Sequence, residues 1–222
     1  MAVPVPSVTA GVEELVAVVV LLSELAMLRG PLLRSQVRLY AFQSLAVSVL
    51  AVVVAATRHL ADVYALAGLS FALKVVVVPG VMTRLLGNAK VDLAGSSRLG
   101  VASSILVALG ATVFAFFAIG ALHVRSSLLP STTLGVAFAV ALVAFVLIIL
   151  RSDVVSQAMG FFSLENGVSI ASMAIAAGLP LVVEVTFLFD LLVAVVTFGI
   201  LMRVHHGRSQ TLSTDELDRL RG

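Results

Sequence analysis

Along this chain long apolar runs alternate with short polar breaks, and the runs have the length of a bilayer. A helix needs about 20 apolar residues to cross about 30 Å of hydrocarbon. Seven stretches meet that need, at roughly 8–28, 37–57, 61–83, 99–122, 132–150, 155–177 and 182–202. None shows the alternation of a barrel strand, and lipid offers the backbone no partner but itself, so each run reads as an α-helix. The breaks carry turn or charge signals: Arg29-Gly30-Pro31, Arg58-His59, Gly87 to Arg98, Ser126 to Ser131, Arg151-Ser152-Asp153 and Gly178-Leu179-Pro180. The pattern predicts an all-α integral membrane protein of about seven transmembrane helices, a single membrane domain over residues 1–222.

The positions of Lys and Arg set an orientation. With seven spans, the odd-numbered connections and the C-terminus share one side. That side holds Arg29, Arg34, Arg38, Arg84, Lys90, Arg98, Arg151, Arg203, Arg208, Arg219 and Arg221, against Arg58 and Arg125 on the other. The positive-inside rule then puts the N-terminus outside and the C-terminus in the cytoplasm, in a multi-pass protein of the cell inner or plasma membrane. Glu13 and Glu14 stand where a cleavable signal would carry positive charge, so the first span reads as retained. Residues 205–222 read as a polar cytoplasmic tail, with Ser213 to Glu216 as a candidate helix cap.

Composition agrees. The chain is 60% hydrophobic and 12% charged, where soluble chains carry about 25% charge, and its mean hydropathy is +1.16. A formal net charge of +2 gives no ground for nucleic-acid binding. With no cysteine there is no disulfide, thiolate nucleophile or iron–sulfur site in this chain. No loop is long enough to hold a soluble domain, so any chemistry belongs in the membrane or to a partner.

Ionisable groups at mid-membrane cost at least about 2.5–3.5 kcal/mol on insertion scales and are functional candidates for that reason. Three qualify: Lys74, Glu165 and Asp190. At about 1.5 Å per residue they lie about 15–21 Å from Arg84, Arg151 and Arg203, and so near one depth. Glu165 shares a helix face with Ser169 and Ser172, Asp190 with Thr186 and Thr197, and Lys74 with Ser70. Gln36, Tyr40, Gln43, Ser44 and Ser48 form a further polar stripe on the second span. Such stripes face other helices or a hydrated cavity. Interhelical hydrogen bonding is the plain reading for the hydroxyls and amides, and a static buried ion pair is the plain reading for the three charges. Burial brings a carboxyl and a lysine towards a common range of protonation, so the same residues have the composition of a proton relay. The remaining charges read as interfacial: Glu24 is close enough to Arg29 to snorkel, and Glu13, Glu184 and Asp62 lie near span ends. Pro79, five residues after Lys74, removes a backbone donor and predicts a kink. No catalytic triad, metal-ligand set or nucleotide-binding glycine loop is present.

The segments Leu39-Tyr-Ala-Phe-Gln-Ser-Leu45, Leu73-Lys-Val-Val-Val-Val-Pro79, Gly160-Phe-Phe-Ser-Leu-Glu-Asn-Gly167 and Glu184 to Arg203, with the tail from Thr211, resemble the hydrogenase-4 component E family. These are membrane subunits of formate-hydrogenlyase-type and related group 4 [NiFe] hydrogenase complexes. The last three spans, 132–203, are similar to the K subunit of complex I and to the C subunit of multisubunit cation/proton antiporters. There Glu165 matches an intramembrane glutamate, and Asp190 falls near a second one with a shorter side chain. The resemblance implies a membrane-arm subunit of an energy-converting redox complex, not catalytic by itself. Its implied partners are antiporter-like membrane subunits, a membrane protein like the H subunit of complex I and a hydrophilic hydrogenase-like redox module, within the lipid bilayer. It implies no cofactor in this chain, the Ni–Fe and iron–sulfur centres lying in partner subunits. Glu165, Asp190 and Lys74 are then the expected proton relay, with Gln43, Ser70, Ser169 and Thr186 in support. A non-conducting scaffold and a stand-alone transporter remain the alternatives.

Overall fold

The computed structural model describes residues 8–59, 61–87, 94, 97–122, 131–175, and 192, 195, 196 and 198–200. They form an all-helical structure: α1 (Val8–Arg29), α2 (Leu33–Arg58), α3 (Ala61–Ser70), a π-helical segment (Phe71–Val77), α4 (Val78–Gly87), α5 (Val101–Leu122), α6 (Ser131–Leu150) and α7 (Val154–Ile175). Five helices are long and apolar enough to cross a membrane: Leu33–Thr57, the continuous rod Val63–Gly87, Val101–Leu122, Thr132–Leu150 and Val154–Ile175. These coincide with five of the seven expected spans. The first expected span coincides with a helix of similar length, α1, which is set apart by its three acidic residues, Glu13, Glu14 and Glu24. The seventh, 182–202, and the tail 205–222 fall almost wholly outside the described residues.

Two hairpins form the centre. The α1–α2 pair lies beside the α6–α7 pair, with α1 against α6 and α2 against α7. The α3–π–α4 rod packs on α2, and α5 packs on the outside of α6. Small residues set the closest approaches. A Cβ on Gly167 would stand 3.0 Å from both the Ala137 carbonyl and the Ala141 nitrogen, and one on Gly160 would stand 3.1 Å from the Ala144 carbonyl. Seven residues apart, the two glycines share a face and let the α6 and α7 backbones nearly touch, the contact that holds helices together where lipid supplies no hydrophobic drive. The outermost helix differs: α5 buries only the small side chains Ser104, Ala108 and Ala115, while Leu106, Val113 and Phe117 are about 70% exposed. An apolar helix showing that much of its surface fits a hydrocarbon solvent.

Polar contacts tie the helices at one end. The turn before α2, the segment leading into α5 and the turn between α6 and α7 all meet there. Ala94 N donates to Pro31 O at 2.8 Å and Arg98 N to Leu150 O at 2.9 Å. Ser97 and Arg151 form an isolated antiparallel bridge. The buried Arg151 sends Nη2 to the carbonyls of Leu28, 2.7 Å, and Gly30, 3.0 Å. A side chain from the α6–α7 turn thereby satisfies the open C-terminal carbonyls of α1, where cationic groups are favoured. Gln36 Nε2 also reaches Gly30 O, at 2.9 Å. Burial lowers the pKa of the Arg151 guanidinium, and the negative charge of Asp153 works against that. Asp153 in turn caps α7 through the Ser156 N–H at 2.7 Å. At the opposite end Thr132 donates to Glu14 Oε1 at 2.6 Å, so α1 and α6 run parallel.

The expected kink at Pro79 takes a specific form. Without an N–H, Pro79 cannot bond to the carbonyl four residues back, and its ring crowds that carbonyl. The preceding turns widen into the π-helical segment Phe71–Val77, and Val78 N–H bonds to Leu73 O, five residues earlier. Lys74 stands in the middle of this segment and is its buried residue.

Candidate site: a buried polar network between the two hairpins

The polar stripe of α2 faces inward. Gln36, Tyr40, Gln43, Ser44 and Ser48 are all buried, because their steps of three and four residues keep them on the face that α1 and α7 cover. Opposite them α7 presents Ser163, Asn166 and, one turn on, Ser169, all buried as well.

Gln43 is the hub. Its Nε2 donates to Glu24 Oε2 at 2.9 Å and to Val20 O at 3.3 Å. Its Oε1 accepts from Ser163 Oγ and from Asn166 Nδ2, each at 2.9 Å. The Asn166 amide also donates to Ser44 Oγ at 2.9 Å, and the Ser163 hydroxyl contacts Glu24 Oε2. Three helices, α1, α2 and α7, thus share one set of hydrogen bonds, each bond meeting a donor or acceptor that would be expensive to bury alone.

The second part of the site lies further along α7. Lys74 Nζ donates to Ser169 Oγ at 2.9 Å, and Glu165 is buried one turn before Ser169. Tyr40 is buried on α2 one turn before Ser44. An aromatic wall flanks it. The Tyr40 and Phe162 rings are 5.7 Å apart, and Phe162 meets Phe198 edge-on at 6.0 Å. The site therefore holds two carboxyls, one lysine, one phenol, two amides and several hydroxyls in an apolar surround. Such a set can hold or exchange protons, or it can fix helices in register. Among the described residues no group of three or more metal-ligating side chains occurs.

Of the residues singled out from sequence, Gln43, Lys74, Glu165 and Ser169 come together here. Ser70 is buried one turn before Lys74, and its hydroxyl makes no hydrogen bond among the described residues. Asp190 and Thr186 lie outside the described residues. Glu24 requires a correction. It does not snorkel towards Arg29 but is fully buried, bonded to Gln43 and Ser163. Five residues separate it from Arg29, which suggested an interface, but its face of α1 is turned to α2 and α7. Its one sequence signal was the spacing from Glu13, also buried and eleven residues earlier on the same face.

Fold and site together define an all-helical protein with helices long and apolar enough to cross a membrane and a polar, hydrogen-bonded interior. No protein-family model matches the chain, and no solved structure matches it. It is 34% identical over 194 residues, 85% of each chain, to the uncharacterized protein Rv0085 of Mycobacterium tuberculosis. The chain belongs to the family of that protein.

Proposed function

We propose that this chain is a membrane-arm subunit of an energy-converting redox complex of the hydrogenase-4 type, in which it carries protons or another small cation through the interior of its helix bundle. The observation that carries the reading is the Lys74–Ser169 contact beside Glu165, at the deep end of a polar network that lipid alone would not tolerate. Glu165 loads and releases the ion, and Lys74 sets how tightly it is held. Asp190, on the seventh span, continues the path. In this reading the chain has seven spans, its last three, 132–203, forming the unit similar to the complex I K subunit. The end gathered around Arg151 faces the cytoplasm, in the inner or plasma membrane.

The electrons pass through partners. A hydrophilic hydrogenase-like module holds the Ni–Fe and iron–sulfur centres. Antiporter-like subunits and a membrane protein like the H subunit of complex I complete the arm. The chain itself is not an enzyme.

The deciding experiment is purification of the tagged chain in mild detergent, with mass spectrometry of stoichiometric partners and metal analysis. Co-purifying antiporter-like subunits and a nickel- or iron-containing module are the expected outcome. A lone chain or a metal-free homo-oligomer overturns the redox-complex reading and leaves a self-contained transporter.

A further inference from the structure

The relay reading uses Glu165, Lys74 and Asp190 and leaves Glu24 without a role, yet Glu24 is fully buried and bonded to side chains of two other helices. Its surroundings contain little to hold it as an anion. Gln43 Nε2 and the Ser163 hydroxyl contact Oε2, and Oε1 is buried with no hydrogen-bond partner among the described residues. No cationic side chain touches it among those residues. Of the cations at the near end, Arg151 is engaged with the Leu28 and Gly30 carbonyls, and Arg29 of α1 and Arg34 and Arg38 of α2 are exposed. The other titratable groups on the packed elements are Tyr40 on α2 and Glu165 on α7. Neither α5 nor α6 carries any, and on α1 itself Glu13 and Glu14 lie ten or more residues away.

Counting protons around Ser163 shows what this arrangement allows. The hydroxyl has one proton and two acceptors in contact, Glu24 Oε2 and Gln43 Oε1. When Glu24 is ionised, Ser163 donates to it and Gln43 Oε1 keeps the Asn166 amide as its donor. When Glu24 is protonated, its own O–H donates to Ser163 Oγ, and Ser163 turns its proton to Gln43. Both states are hydrogen-bonded, and one hydroxyl rotation converts one into the other with no movement of helices. A carboxyl that served only to brace the bundle would need one state alone.

We infer that Glu24 is a further proton-carrying group, which gains and loses its proton inside the protein while the Ser163 hydroxyl turns between Glu24 and Gln43. The proton is exchanged with water at the Arg29–Gly30 end, the nearer one: Glu24 precedes Arg29 by five residues, about 7.5 Å of helix. One proton passes from the carboxyl to water and leaves a carboxylate; no electrons move. Glu24 is thereby the loading point from that end. The assignment of that purpose rests on the relay reading, while the protonation chemistry stands apart from it.

The test is infrared difference spectroscopy of the full chain in its native assembly in lipid nanodiscs, as pH is raised in H₂O and in D₂O. The expected result is a protonated-carboxyl C=O stretch that shifts in D₂O, is lost as pH rises, and is absent from Glu24→Gln. In Ser163→Ala, which leaves the carboxyl in place, the band should move in frequency and disappear at a different pH. No band difference between wild type and Glu24→Gln at any pH overturns the inference, since Glu24 is then always ionised. A band that persists at every pH where the protein stays folded overturns it too, since the acid is then fixed. Should Glu24→Gln not fold, an unaltered spectrum in Ser163→Ala is the overturning result. The band is read from the chain's own carboxyl, so its absence sinks the Glu24 assignment alone, and the partner purification decides the redox-complex reading separately.

Discussion

Lys74 and Ser169 are 95 residues apart in sequence and 2.9 Å apart at their side-chain tips. A lysine this buried is held in place by polar groups from another helix and by the unusual winding of its own. Replacing a whole buried ion pair by apolar side chains is often neutral, but removing one partner leaves the other buried alone. Lys74→Met, which takes away the bond to the Ser169 hydroxyl, is therefore expected to be less stable than wild type by about 1–3 kcal/mol yet still to assemble, and to lose ion coupling. Glu165→Gln should behave in the same way. Purified assemblies, reconstituted and assayed for proton uptake together with their redox turnover, check both. Normal pumping by either variant removes that residue from the relay, and failure of assembly before any loss of coupling favours the scaffold.

Gln43 is expected to matter more for folding than any other residue of the network. It bonds to Val20 O, Glu24, Ser163 and Asn166, and Leu in its place leaves several of those groups buried without a partner. Each such group costs about 1–3 kcal/mol. Gln43→Leu should therefore melt far below wild type in detergent or fail to accumulate, whereas Thr57→Val, which removes hydroxyl bonds from an exposed position on the same helix, should melt within a few degrees of it.

The glycines divide into two kinds. Gly167→Ala drives a methyl group against the Ala137 carbonyl and the Ala141 nitrogen, both 3.0 Å from the new Cβ. Backbone cannot step aside as a side chain can, so α6 and α7 must separate, at a cost of about 1–3 kcal/mol. Gly110→Ala, in mid-α5 with nothing within 4 Å, should be neutral or stabilising by up to about 1 kcal/mol. Thermal melts of the two variants side by side test the contrast. Equal melting temperatures would refute the close α6–α7 contact.

Arg151→Leu is expected to loosen the end of α1. The guanidinium makes two hydrogen bonds to carbonyls 121 and 123 residues away, and bonds to a charged group contribute about 1.5–3 kcal/mol each. Lys in its place supplies one compact charge where a fork is needed, so Arg151→Lys should recover only part of the loss. Hydrogen exchange of the amides from Ala26 to Gln36 gives the readout, with faster exchange expected in Arg151→Leu. Unchanged protection would show that the turn before α2 holds itself.

Much of this was legible in the sequence, and the exceptions have physical reasons. Glu165 and Lys74 stood out because each is an isolated charge in an apolar run, and the α2 stripe because Gln36, Tyr40, Gln43 and Ser44 recur at helical spacing. Burial and proximity follow from that pattern; the partners do not. Nothing local to Ser163 says that it meets Glu24, 139 residues away, and Glu24 itself was masked by the nearness of Arg29. Pro79 announced a disturbance in its helix, but the choice between a bend and a wider turn depends on what the neighbouring helix α2 allows. Asp190 and Thr186 lie outside the described residues.

The π-helical segment has a consequence for the whole rod from Ala61 to Gly87. Its buried residues, Val63, Ala67, Ser70, Lys74, Val78, Met82 and Leu86, advance mostly by four. In a uniform α-helix each step of four overshoots a full circle by about 40°, so a stripe of that spacing would creep round the rod and carry its later members into lipid. Wider turns rotate the chain less per residue, and placing them between Phe71 and Val77 winds the stripe back into line. The lysine is thus kept from the hydrocarbon by the phase of its own backbone.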